Sequence, residues 1–124
     1  MNLKKETMEL KNWAVVGATT KKNRFGYKIV KKLKENDYNV FPVNPKFDKV
    51  AGLKCYDDLS SIDGKIDVVD MVVNPKYGIK VMKEIDKLGI KYVWLQPGTR
   101  SQEIRDFAAA NEIELIENCI YASL

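Results

Sequence analysis

The order of its apolar and amphipathic segments predicts a doubly wound α/β fold with a mainly parallel sheet of five or six strands and helices on both faces. Three observations carry this expectation. Apolar runs alternate with amphipathic segments along the whole chain, the pattern of right-handed βαβ crossovers. The strand-like runs are continuous rather than alternating, which suits strands covered on both faces. The first of them breaks at Gly17 into a polar, basic loop that opens a helix.

Residues 3–10 predict a short helix, with Leu3, Thr7, Met8 and Leu10 as a ragged apolar side. Trp13 to Val16 is the first strand. Residues 25–36 read as a helix, with Tyr27, Ile29, Val30 and Leu33 near one face and Asn36-Asp37 as its stop. Residues 38–43 form the second strand, and Pro42, which cannot donate to a ladder, belongs near its end. Residues 44–57 read as irregular, with a short strand around Lys54-Cys55-Tyr56, and Asp57 to Ile62 as a brief helical turn. Asp67 to Val73 is the next strand. Pro75 then starts a helix that buries Ile79, Val81, Met82, Ile85 and Leu88 and stops at Gly89. Lys91 to Gln96 is a strand closed by Pro97-Gly98. Thr99 or Ser101 caps a helix holding Ile104, Phe107 and Ala108, and Ile113 to Glu117 is the last strand.

The 124 residues fit one domain, residues 1–124, and 45% hydrophobic residues suffice for a core without staples. The two cysteines, Cys55 and Cys119, are far apart and show no metal spacing. Residues 1–12 are charged rather than apolar, and no run reaches the roughly 18 apolar residues of a membrane span. A cytoplasmic chain away from membranes is therefore expected. No histidine is present, which removes His-based triads and the commonest general base. No catalytic and no metal-ligating residue is nominated, and binding rather than catalysis is the expectation. Charge is uneven: residues 1–54 carry 13 Lys and Arg against 5 Asp and Glu, whereas residues 55–124 carry 8 against 12. A basic half favours an anionic small ligand or nucleic acid. The cations fall mainly in one loop and on helix backs without an interleaved aromatic platform, which disfavours nucleic acid.

In an open α/β sheet, ligands bind beyond the carboxyl ends of the strands, where strand order reverses. That rule nominates Gly17 to Arg24, Asn44 to Lys46, Asn74 to Lys76, Gln96 to Gly98, and Asn118-Cys119. In the first loop Gly17 permits a tight turn and close phosphate approach, with Ala18 beside it. Thr19 and Thr20 offer hydroxyl donors. Lys21 and Lys22 act as point charges and Arg24 as a fork on phosphate oxygens. Neither the dinucleotide fingerprint nor the Walker A pattern is present, since only Gly17 and Gly26 are glycine here. After the second strand, where an NAD-binding domain carries Asp or Glu for the ribose, this chain has Asn44-Pro45-Lys46. Lys46 favours a phosphate on the ribose, hence coenzyme A or NADP. It reads equally as a solvated lysine after a proline turn. Asn74-Pro75 and Gln96-Pro97-Gly98 each close a strand with an amide and a proline. Such an amide either reads a ligand's polar groups or caps the next element. Cys119 is a small buried hydrophobe or an exposed thiol near the ligand, Asp67 starts a strand, and Asp70 has no assigned role.

The chain resembles the CoA-binding family of single-domain Rossmann proteins, which are similar to the CoA-binding domain of the succinyl-CoA synthetase α subunit. The residues that carry the resemblance are Val15-Val16-Gly17-Ala18-Thr19 with Arg24 and Tyr27, and Val40-Phe41-Pro42-Val43-Asn44-Pro45-Lys46. Asp67-Val68-Val69-Asp70, Val93-Trp94-Leu95-Gln96-Pro97-Gly98 and Asn118-Cys119-Ile120 follow in order. The resemblance implies a Rossmann-like domain with coenzyme A or acyl-CoA on the Gly17–Arg24 loop and Lys46 near the adenosine phosphate. It also implies that Val73-Asn74-Pro75 contacts the nucleotide at the switch point. Several members carry Pro-Ser after the loop arginine, where this chain has Phe25-Gly26. The ligase's catalytic and grasp domains and its phosphorylated histidine have no counterpart, so the resemblance implies binding without synthetase activity. An NADP-binding oxidoreductase-type domain and a nucleic-acid module are the alternatives.

Overall fold

The computed structural model describes residues 2–124; Met1, the first residue of the expected domain, lies outside the described residues. In chain order the elements are α1 (Leu3–Glu9), β1 (Asn12–Val16), α2 (Phe25–Glu35), β2 (Asn39–Val43), β3 (Lys49–Val50) and β4 (Leu53–Lys54). A single 3₁₀ turn (Leu59–Ser61) precedes β5 (Val68–Met71), α3 (Pro75–Lys87), β6 (Tyr92–Leu95), α4 (Gln102–Ala110), β7 (Glu114–Ile116) and α5 (Ile120–Ser123).

The main sheet has five strands in the order β2-β1-β5-β6-β7, and every neighbouring pair is parallel. The chain winds outward from β1 to β2 and then crosses to β5 on the other side, so the order reverses between β1 and β5. A parallel bridge, Val43 to Tyr56, sits beyond β2. It is held by the Tyr56 amide on the Pro42 carbonyl and the Asn44 amide on the Tyr56 carbonyl, both at 2.9 Å. The short strand expected around residues 54–56 is thus divided between Lys54, at the end of β4, and this bridge at Tyr56.

Alternate residues of the continuous apolar runs face opposite layers. Ala14, Val16, Val69, Met71, Val93 and Leu95 pack with Met82, Ile85, Ile104 and Ala108 beneath α3 and α4. Trp13, Val15, Val68 and Trp94 pack with Ile29, Val30, Leu33 and Ile120 beneath α2 and α5. Burying a side chain of this size contributes about 2 kcal/mol, and both faces of β1 contribute.

The ragged apolar side of α1 has a specific cause. Thr7 is buried and its Oγ1 accepts from the Trp94 indole at 2.8 Å. The Trp13 indole donates to the Leu10 carbonyl at 2.7 Å. Buried tryptophans need an acceptor for the ring N–H, and α1 and its C-cap Leu10 supply both. Asp67, expected to start its strand, lies one residue before β5, its carboxylate accepting from the Asn12 backbone and side-chain amides at 3.1 and 2.9 Å. Of the two candidate caps for α4, Ser101 is the one that caps: its Oγ accepts from the Ile104 amide at 3.2 Å. The ladders of β5 and β6 end at Met71 and Leu95, before Val72, Val73 and Gln96, which the sequence placed in strands. The four-residue α5 was not anticipated, because one turn carries no readable period.

Candidate functional site

A cavity of about 420 Å³ opens at the carboxyl edge of the sheet where the strand order reverses. Of the nominated residues, Gly17, Thr19, Lys21, Arg24, Gln96 and Pro97 line it. Cys119, half-buried and also nominated, lines it as well, together with Phe25, Gly26 and Val72, which were not nominated.

The loop from β1 to α2 is fixed by the end of β2. The amides of Gly17 and Ala18 both donate to the Val43 carbonyl, at 3.1 and 3.3 Å. Asn44 acts as a splint: its Nδ2 donates to the Ala18 carbonyl at 2.8 Å, and its Oδ1 accepts from the Lys46 amide at 2.9 Å. Thr19 Oγ1 accepts from the Lys21 amide at 3.2 Å. Gly17 has φ of 101°, and a Cβ there would sit 3.0 Å from the Val72 carbonyl carbon and from Val73 Cγ1. Val73 therefore touches the loop from behind.

Gly26 is the residue that reading the sequence underrated. A Cβ on it would overlap the Gly17 carbonyl oxygen. Gly17 and Gly26 together bring β1 and α2 into close backbone contact, the job shared among the glycines of the dinucleotide fingerprint. The available signal was a glycine in the first turn of a helix, a costly placement that calls for a packing reason.

Arg24 is the N-cap of α2, with extended backbone, and its side chain makes no capping bond. The start of α2, at Phe25 and Gly26, thus faces the cavity with its N–H groups uncovered by any cap side chain. Such an end carries partial positive charge and favours anions. Among the described residues neither Lys21 nor Arg24 is in an ion pair. Arg105, in contrast, grips Glu117 with both ends of its fork, at 2.6 and 3.0 Å. That contact holds the Glu117 carboxyl below its ordinary range.

The side-chain amides of both corners have partners within the fold. Asn74 caps α3, accepting from the Lys76 and Tyr77 amides at 3.0 and 3.4 Å, and Pro75 follows at the first helical position. Gln96 is buried, with Oε1 accepting from the Ile120 amide at 3.2 Å and Nε2 donating to Asp70 Oδ1. Asp70 lies between Val15 and Trp94 in register, on the face it shares with Val68 and, nearer the cavity, Val72. It is fully buried, and among the described residues its Oδ2 has no partner. Burial pushes its carboxyl well above the ordinary range, and the Gln96 amide offsets that only in part. Asp70 thus sits in the wall beneath the cavity, bonded to Gln96 and through it to α5. Ala18 is buried behind the loop, and Thr20, Pro45, Lys46, Pro75 and Gly98 lie outside the cavity lining. Lys22 turns to a separate groove along α2.

Sequence comparison decides the family. The sequence model of the CoA binding domain matches residues 11–124. The chain belongs to the CoA-binding domain family. Over 81 residues it is 36% identical to an ADP-forming acetate–CoA ligase of Methanocaldococcus jannaschii, a match covering 65% of the chain and 12% of that enzyme. It is 30% identical over 93 residues to YneT of Bacillus subtilis, covering 75% of the chain and 69% of that protein. The structure of a hypothetical protein from Pyrococcus horikoshii OT3 superposes with a TM-score of 0.90 at 34% identity, covering 96% of this chain and 84% of that one. The CoA-binding domain therefore spans about an eighth of the ligase it matches. Among the described residues no helix is long and apolar enough to cross a membrane.

Proposed function

We propose that this CoA-binding domain holds coenzyme A or an acyl-CoA in the switch-point cavity and makes or breaks no bond itself. The diphosphate lies on the Gly17–Arg24 loop, against the start of α2, with Arg24 as fork and Lys21 as point charge. Lys46, exposed just past the Asn44 splint, serves the ribose phosphate. The observation that carries the reading is the meeting of an uncapped helix start, Lys21 and Arg24 in one cavity. The ligase relative uses CoA by its name, but most of that enzyme lies outside the matched region, so its ligation is not carried over.

A thermal-shift panel of CoA, dephospho-CoA, NADP and NAD tests this. At a hundredfold excess over Kd, a ligand adds about 2.7 kcal/mol, which raises Tm by about 4 °C or more in a domain of this size. CoA is expected to give the largest shift and dephospho-CoA a smaller one. A shift with NADP and none with CoA overturns the reading, and equal shifts with CoA and dephospho-CoA remove Lys46 from its role. In calorimetry, Arg24→Ala weakens CoA binding by about tenfold to a hundredfold, the worth of charge-assisted bonds. Lys21→Ala costs less, because a mobile charge is lost rather than a fixed fork. Equal losses contradict the assignment.

A further inference from the structure

A second cavity, of about 400 Å³, runs along α2 against α5 and shares no lining residue with the first. Lys22 enters it from the loop, and Lys28, Lys31 and Lys32 enter it from α2. Glu35 is the one carboxylate in the lining. We infer that this groove is a second anion site, which binds a chain of two or more phosphates, free or carried by a nucleoside.

The charge arrangement is costly without an anion. Lys28, Lys31 and Lys32 are spaced three and four residues apart, so their like charges share one flank of the helix. Lys22 and Lys28 stand near the start of α2, where the helix dipole already favours negative charge. Among the described residues none of the four lysines is in an ion pair.

The groove is also partly built. Lys32 Nζ donates to the Tyr121 carbonyl at 2.7 Å and lies 4.4 Å from the centre of the Tyr121 ring. The Tyr121 ring is braced edge-on by Phe25 at 5.8 Å. One ammonium is therefore fixed before any ligand arrives, and Tyr27 and Tyr121 complete the lining. From Lys28 to Lys32 the helix rises by about 6 Å, and Lys22 adds a cation from the loop. Four ammonium groups against one carboxylate in the lining match the several charges of a phosphate chain better than those of a single phosphate or sulfate.

The test is titration of the full chain with inorganic tripolyphosphate at constant ionic strength, followed by amide chemical shifts and calorimetry. The shifts are expected at Tyr27 to Lys32 and at Tyr121. The surface double variant Lys28→Gln/Lys31→Gln should lose at least tenfold in tripolyphosphate affinity with wild-type circular dichroism and wild-type CoA binding. A parallel titration with ADP separates the two sources: shifts at the same residues extend the site to nucleotides, and their absence restricts it to inorganic chains. Shifts confined to Gly17–Arg24 overturn the inference, as does an equal response to sodium chloride alone. A single-stranded oligonucleotide binding a hundredfold more tightly through the same lysines overturns it in favour of a nucleic-acid surface. Because CoA is scored separately in the double variant, failure here leaves the first cavity's assignment standing, and the reverse holds.

Discussion

The loop after β1 and the corner after β6 open on the same cavity, yet their polar groups are in opposite conditions. After β1 the backbone is held by Val43 and Asn44, while among the described residues Lys21 and Arg24 are in no ion pair and the start of α2 has no side-chain cap. After β6 the Gln96 amide is engaged at both ends, and its carbonyl accepts from Thr99 Oγ1 at 2.7 Å. The end of β5 resembles the β6 corner, with Asn74 consumed in capping α3. A polar group at a strand end is therefore not free for a ligand by its polarity alone. What matters is whether the fold has already supplied its partner, as satisfaction of buried polar groups requires.

The sharpest way to break this contrast is at the rigid side of the open loop. Gly26→Ala drives a Cβ into the Gly17 carbonyl, and backbone cannot rotate aside as a side chain can. The expected cost is about 3 kcal/mol, at the upper end of overpacking, read by urea unfolding, together with loss of CoA binding. A variant within about 0.5 kcal/mol of wild type, the usual span of surface changes, would show that the close β1–α2 contact is dispensable.

The closed corner is tested next, at the Asp70–Gln96 pair. Gln96→Leu removes both side-chain bonds and leaves Asp70 and the Ile120 amide without partners, for an expected loss of about 2 kcal/mol. Asp70 itself supplies a pH signature. Its carboxyl is raised in the folded state, so between the unfolded and folded pKa values the native chain holds the extra proton. Its contribution is fully present below the unfolded value, about 3.9, and is lost as pH rises through the folded value. Glu117, lowered by Arg105, runs the other way, its contribution being lost as pH falls. The difference between wild type and Asp70→Asn isolates the first effect. Stability of the wild type relative to Asp70→Asn should fall with rising pH, with a limiting slope of one proton. A flat difference would place Asp70 in a solvated setting.

The alternation of strands and helices, the parallel order and the loop at Gly17 were legible because each rests on local pattern. Continuous apolar runs such as Trp13 to Val16 have one physical reading, burial on both faces. The limits of legibility fall where a residue's role depends on a distant partner. Asp70 had no role in the sequence because Gln96, its partner, lies 26 residues away. Gly26 lost weight because the fingerprint spacing was absent, while the contact it makes with Gly17 exists only in three dimensions. Lys22 and Lys21 are adjacent in sequence and line different cavities, a divergence that no count of basic residues shows.

The smallest expected effect separates capping from contact most cleanly. Asn74→Ala removes the acceptor for the Lys76 and Tyr77 amides at the start of α3. Loss of an N-cap costs about 1 kcal/mol, and Pro75 at the first helical position limits the damage because it has no N–H to leave unpaired. If Asn74 only caps, urea unfolding shows that loss while CoA affinity stays within about twofold, well under the roughly 1.4 kcal/mol that a tenfold change represents. If Asn74 also reads the nucleotide, as the family resemblance implies, affinity falls by tenfold or more at the same cost in stability. Asn74→Asp distinguishes the two again, since a carboxylate caps a helix as well as an amide does but repels a phosphate. Retained stability with weakened CoA binding in Asn74→Asp would move the end of β5 from the closed class of corner to the open one.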